Sequence, residues 1–470
     1  MRVPFIGPSY PSQSPDADVS RTVNWYPEML ETTNGKTRVV LYPTPGLTMF
    51  AKLPGDNVRG LFADRDRLFA VIDDGFYEIS NAGVATLLGA VANTLDLPAT
   101  ICTNGDGGGE IMITSDGNAY IFTLATSALT TEVTGTADLG GFIDGYFVVL
   151  DTTTSTLQLS ALFDGVTWPA LSVMQRSTAA DRWVSMIVSD RQVHLYGTLT
   201  SESWYNSGNP DFPLTPVTGS LIRDGIAAPY STVALVDNTR IWLSANADGT
   251  GIVKRAAGYV PERISTHAVE HAIQEYPVIS DAIAWSYQEE GHSFYVLSFP
   301  TARATWVYDA TTQLWHERGW WNEFEARYEA CRAQFHAYCF GKHLVGDRAS
   351  GSIYEQRVSL YSDAGTTYLR RMRQGPHLTA GGRWIYFPNV RVMLEKGVGT
   401  VAVPDPQLAL QWSDDGGHTW SNEHWVSAGA TGEYGFEAVW RRCGRSQDRV
   451  FRLIASDPVP WRIFDMQVGD

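Results

Sequence analysis

The stretch RLFAVIDDGFYEI, residues 67–79, decides how the rest of the chain is read. Two runs of β-formers, Arg67–Ile72 and Phe76–Ile79, flank Asp73-Asp74-Gly75. Branched and aromatic side chains suit a pleated, half-buried surface. Gly or Asn at the positive-φ position of a tight turn matches the right-handed twist of a hairpin. The segment therefore reads as an antiparallel pair. The pattern returns at Ile111–Thr114 with Ala119–Phe122, Gly141–Ile143 with Tyr146–Leu150, Val184–Val188 with Gln192–Tyr196, and Thr232–Leu235 with Ile241–Leu243.

Hairpin units start near Val58, Ile101, Leu139, Trp183, Ser231, Asp281 and Tyr328. Their spacing of roughly 40 to 50 residues is the period of propeller blades, with room for about four strands each. The chain is expected to be all-β, with a β-propeller of six or seven blades over residues 41–375. A long jelly roll or a tandem of sandwiches is the alternative, with less uniform spacing. Ser265–Tyr276 breaks the pattern and reads as a short helix between two blades. After Gly375-Pro376 the strands lengthen around a Gly/Pro-rich insertion, Lys396–Pro406, which marks a β-sandwich-like domain at 376–470. Residues 1–40, with four prolines by Pro15 and another at Pro27, read as an extended N-terminal arm, a candidate for exchange between subunits.

At 470 residues, two or three domains are expected. A 44% hydrophobic and 18% charged composition can bury a large core and does not suit a disordered chain. No apolar run approaches the ~18 residues of a membrane span, and Met1–Ser20 has no apolar core of a signal peptide. Net charge is −16. Residues 370–470 hold 12 basic and 11 acidic side chains, so the first 369, with 23 and 40, carry −17. So acidic a body cannot release phosphate counterions, which argues against general nucleic-acid binding. It would suit a surface that DNA slides past. Cys102, Cys331, Cys339 and Cys443 form no C-x-x-C pair and read as buried thiols of a protein made in a reducing cytosol.

Three groupings could carry chemistry. His267-Ala-Val-Glu270-His271 matches an inverted zincin pattern, but it has no third ligand and reads as two histidines on an exposed linking helix. Ser413, Asp415, Gly417, Thr419 and Trp420 fit an Asp box, as found in sialidase-like propellers, in which Asp holds a turn's own amides. Its expected role is a structural turn, while a glycan-binding or sialidase-like reading stays open. Trp440, Arg441, Arg442 and Arg445, like Trp315 to Trp321, have interface hot-spot composition. Core Trp with strand-surface Arg is the competing reading. No catalytic pairing, metal site or phosphate loop emerges from spacing, so neither enzyme activity nor a cofactor is expected.

Three ordered motifs carry a resemblance: Arg21-Thr-Val-Asn24-Trp25-Tyr26-Pro27-Glu28 followed by Thr44-Pro45-Gly46-Leu47; Gly291-His292-Ser-Phe-Tyr295 through Phe299-Pro300 to Thr305-Trp306-Val-Tyr308-Asp309 and Trp315; and Trp440-Arg-Arg442-Cys443-Gly444-Arg445 with Arg449 to Ile454. Together they resemble the packaged-DNA-stabilisation proteins of short-tailed bacteriophages, which form the tail hub or nozzle. The resemblance implies a non-enzymatic virion protein built around a β-propeller, made in the host bacterial cytoplasm. Six copies would form a ring below the head-to-tail adaptor and continue the DNA channel without sequence-specific binding. Tail plug or needle and tailspike or tail fibre proteins would be its other partners.

Overall fold

The hairpins grow into a ring of four-stranded antiparallel sheets. The computed structural model describes residues 2–31, 37–176, 179–364 and 367–469. Blades one to four run Val58–Ala90, Thr100–Val133, Leu139–Gln175 and Trp183–Pro216. Blade five runs Gly225–Arg263, its innermost edge split between Gly225–Ile226 and Val233–Ala234, and blade six runs Ile283–Glu317. Blade seven has only three strands of its own, from Ala333 to Arg357, and takes its outermost from Gly46–Lys52, which pairs antiparallel with Ser352–Arg357. A seven-bladed ring is thereby closed by its own N-terminal strand.

Tight turns do what the sequence chemistry demands. Asp116 and Gly117 sit at φ 48° and 74°, and Asp144 and Gly145 at 45° and 95°. Both central residues are left-handed, as a twist-matched two-residue hairpin requires. Each neighbouring pair of blades then buries its own apolar cluster, such as Phe69, Phe76 and Phe122 between blades one and two. Leu68, Ile79, Leu344 and Ile353 seal blade seven against blade one. The helix, His267–Gln274, lies between blades five and six, with Val269 and Ile273 in their shared core.

Two sequence expectations are corrected. Tyr328 does not open the last blade. It belongs to a separate two-stranded finger, Gly319–Asn322 with Arg327–Ala330, because a Glu-rich tip interrupts the apolar alternation. The described residues of 1–40, namely 2–31 and 37–40, do not form an extended arm either. Val19–Val23 pairs with Arg371–Gln374 in one sheet of the C-terminal sandwich and touches Glu317 of blade six through Val23. Trp25–Met29 pairs with Val39–Pro43, which joins the other sheet at Ile463, and Arg2–Val3 pairs with Gln467 and Met466. Val3, Phe5 and Trp25 are buried in the sandwich core beside Trp461 and Phe451. Pro4, Pro8 and Pro15 fall between paired strands, where no ladder bond is needed, while Pro11 and Pro27 sit within short pairings, opposite Val19 and Leu41. Among the described residues no helix is long and apolar enough to cross a membrane.

Candidate functional surfaces

The seven innermost strands surround a central channel whose mouth is a cavity of about 590 Å³. Loops from every blade line it, and Asp96, Asp116, Asp138 and Asp281 are its carboxylates against the single cation of Arg348. Pro98, Leu139, Pro229 and Tyr230 separate it from an apolar stretch of about 460 Å³. Burial pushes the Tyr230 phenol up to about 12. Such volumes match a small-molecule cavity, ~300–1,000 Å³, not a duplex whose major groove alone is ~12 Å wide. DNA cannot thread a single propeller.

The Asp box forms the tight connection between Gln407–Ser413 and His424–Ser427. Ser413 Oγ donates to Asp415 at 2.6 Å and accepts from the Gly417 amide at 2.8 Å. The Thr419 amide and hydroxyl donate to Asp415 at 2.9 and 2.5 Å, and the Trp420 indole donates to Gly417 O at 3.0 Å. Hydrogen bonds from Ser413 and Thr419 hold the Asp415 carboxyl well below its usual range. Every one of these bonds stays within the turn. Beneath it Arg452 stacks on Trp420 at 3.5 Å and bonds Gln374, whose amide donates to Val19 O at 2.7 Å. Burial lowers Arg452 to about 10.

Of the four suggested interface residues, Trp440 is corrected. It is buried in the sandwich core and donates to His424 O at 2.6 Å, so its ring faces no partner. Arg441, Arg442 and Arg445 are exposed. They lie on a ribbon in which Ile385 and Tyr386 pair with Ser446 and Arg445. Arg445 stacks over the exposed Trp384 at 4.6 Å.

In the helix, Glu270 is held by Arg263 at 2.6 and 2.8 Å and by Ser265 at 2.6 Å, which occupies the carboxylate that the zincin pattern would use as base. Among the described residues no His/Cys/Asp/Glu group could hold a metal ion. The four cysteines are unpaired, and burial raises each thiol above its ordinary range. Sequence reasoning missed the buried arginines. Arg59 donates to the carbonyls of Leu97, Asp73 and Ala92 and to Ser115 Oγ, tying the top of blade one to blade two. Arg373 does the same for the N-terminal segment, donating to Phe5 O at 2.6 Å, Pro8 O at 2.9 Å and Thr22 Oγ1 at 2.8 Å. Burial lowers its guanidinium to about 9. Arg followed by Gly at the start of an inner strand was the available signal for Arg59.

No curated protein matches the chain. Among solved structures, the N-terminal domain of Nup159 aligns at TM-score 0.41 and 11% identity, covering 72% of this chain and 98% of that one. The extracellular domain of the putative one-component system BT4673 from B. thetaiotaomicron aligns at 0.43 and 6%, covering 82% and 48%. PorZ of Porphyromonas gingivalis aligns at 0.36 and 12%, covering 73% and 44%. Likenesses this remote say nothing of function. Family models are decisive instead: bacteriophage P22 Gp10, beta-propeller, matches residues 1–359, and bacteriophage P22 Gp10, beta-sandwich, matches 370–469. A propeller followed by a sandwich, in the order the strands define, places the chain in the bacteriophage P22 Gp10 family of phage tail proteins that stabilise packaged DNA.

Proposed function

We propose that this chain is a structural subunit of the hub, or nozzle, of a short phage tail. Six copies would ring the tail axis below the head-to-tail adaptor, continue the DNA channel and help retain packaged DNA. The assembled ring would anchor the plug or needle and the tailspike or fibre proteins. The carrying observation is the match of both Gp10 domains, in order, along nearly the whole chain. Geometry adds a reason for a ring: the propeller's own channel is too small for a duplex, so a DNA conduit must lie between copies. With a body of net −17, that conduit would repel rather than trap DNA. The role involves no catalysis and no cofactor.

Cryo-electron microscopy of particles from the source, with mass spectrometry of their proteins, tests the reading. Sixfold density of this chain around an axial channel is expected. Absence of the chain from purified particles would overturn it.

A further inference from the structure

Each of the four carboxylates at the propeller mouth is held through one oxygen and leaves the other over. Thr94 and Leu95 donate to Asp116 Oδ2, and the Thr152 amide and hydroxyl donate to Asp138 Oδ2 at 2.8 and 2.6 Å. The Thr301 amide donates to Asp281 Oδ2 at 2.8 Å, and Asn57 donates to Asp96 Oδ1 at 3.1 Å. The second oxygens of Asp116 and Asp281 are buried without a hydrogen-bond donor, and the Asp116 side chain is only 5% exposed. Arg59 stops 3.8 Å short of Asp116, its N–H groups directed to Ser115 Oγ and to three backbone carbonyls. A buried carboxylate oxygen with no donor has lost its water and gained nothing in return. Arg348, the cation that lines the cavity, makes no side-chain hydrogen bond or ion pair among the described residues.

Blade order sets where these groups stand. Asp96, Asp116 and Asp138 belong to blade two and the loops on either side of it. Asp281 enters between blades five and six, on the far side of a seven-membered ring. Four carboxylates against Arg348 and Arg59 leave two negative charges uncompensated. Between them the wall is apolar, with Leu95, Leu139, Ile283 and Pro300. A cleft of one sign with low-dielectric walls concentrates counter-ions. We propose that this mouth binds a linear polyamine, its ammonium groups shared between the Asp96, Asp116 and Asp138 side and Asp281, its methylenes on the apolar wall. The site lies within one propeller and is independent of how copies assemble. A single metal ion is the competing occupant. It cannot touch carboxylates on opposite walls, and no group of three His, Cys, Asp or Glu among the described residues could hold one. The cavity of about 590 Å³ has the size of a small-molecule site.

Equilibrium dialysis of the full-length chain against radiolabelled spermidine tests the site. Expected is one saturable site per chain, bound at least ~tenfold more weakly by D138N/D281N, since each lost contact is a charge-assisted hydrogen bond. R348Q removes the opposing cation and should bind ~threefold more tightly, a gain that a folding defect cannot imitate. D66N/D211N removes the same charge from exposed positions that do not line the mouth, and should match the parent. Absence of binding at low salt overturns the proposal. So does equal weakening by both double variants, or displacement by Mg²⁺ as readily as by unlabelled spermidine, since either means loose counter-ions on an acidic chain.

Discussion

The indole N–H of Trp25 donates to the backbone carbonyl of Trp461 at 2.9 Å, across 436 positions of the sequence. Both rings are fully buried in the sandwich core. The propeller is thus a long excursion between two halves of one sandwich, and its closing strand leaves that sandwich only three residues after Pro43. Ring closure and sandwich formation are coupled through residues 39–52. Trp25→Ala should cost about 3–5 kcal/mol, the range for a large core aromatic. Trp25→Phe should cost less, leaving the Trp461 carbonyl without its donor. Equilibrium denaturation checks both; an unchanged midpoint for the alanine variant would refute the coupling.

Removing residues 1–20 is predicted to lower the stability of the isolated chain itself. It deletes Val3 and Phe5 from the core and strips the Arg373 guanidinium of its Phe5 and Pro8 acceptors. The guanidinium keeps Thr22 Oγ1 and Arg21 O, so the loss is of two acceptors plus the buried Phe5 ring, on the order of 3–5 kcal/mol together. Arg373→Met in the truncated chain should recover part of the loss. If truncation impairs assembly while leaving the denaturation midpoint intact, exchange of the arm between subunits is the better account.

Gly46 opens the closing strand where the backbone passes close to its neighbours. A Cβ there would lie 2.6 Å from the carbonyl oxygens of Leu360 and Ser362, neither of which can swing aside as a side-chain tip can. Gly46→Val should therefore destabilise by about 1–3 kcal/mol through overpacking. Gly435→Ala is the control, since nothing lies within 4 Å of its added methyl. Equal thermal shifts for the two would show that the closing strand tolerates displacement.

Much of this was legible in the sequence, for reasons particular residues make plain. Turns such as Asp116-Gly117 announce themselves because few residue types accept positive φ. Their regular return gave the blades. The closing strand was not legible, because Gly46–Lys52 pairs with Ser352–Arg357 some three hundred residues away and nothing local encodes that partner. Proline misled at the N-terminus: Pro4 and Pro8 forbid ladder bonds locally but leave Val3 and Phe5 free to bury. The Asp box was readable because all its bonds are short-range, whereas the fate of Trp440 depended on strands from both ends of the chain.

Because Asp415 holds only its own turn, Asp415→Ala should loosen that turn alone. Amide exchange at Thr419, whose N–H donates to Asp415 at 2.9 Å, should accelerate without change elsewhere in the sandwich. The carboxylate stays charged far below neutral pH, so protection at Thr419 should persist into acid in the native chain. Exchange rates that leave Thr419 unaltered in the variant would sink this account of the box.

Histidine burial makes a pH prediction with a definite sign. Burial pushes His194 and His336 down to about 3 and His316 well below its ordinary value. Unfolded, each titrates near ~6.5, so below that pH the unfolded chain binds more protons and stability falls as acid is added. His292 and His377 act oppositely. A hydrogen bond to Asp309 raises the first; for the second, burial is outweighed by Asp448 and the Pro15 carbonyl. Their contribution is complete below ~6.5 and fades as pH rises through their folded values. Burial lowers His343 as well, and four lowered imidazoles against two raised ones give a net loss between about pH 6.5 and 5, each group contributing up to ~1.4 kcal/mol per pH unit. His316 isolates the effect, since both its ring nitrogens are buried without a hydrogen-bond partner. His316→Leu removes that desolvated polar ring and should leave stability at pH 7.5 unchanged or higher. The acid slope of the unfolding free energy should drop by about one proton's worth. A variant with the parent slope would mean that His316 reaches solvent or a partner in the folded chain.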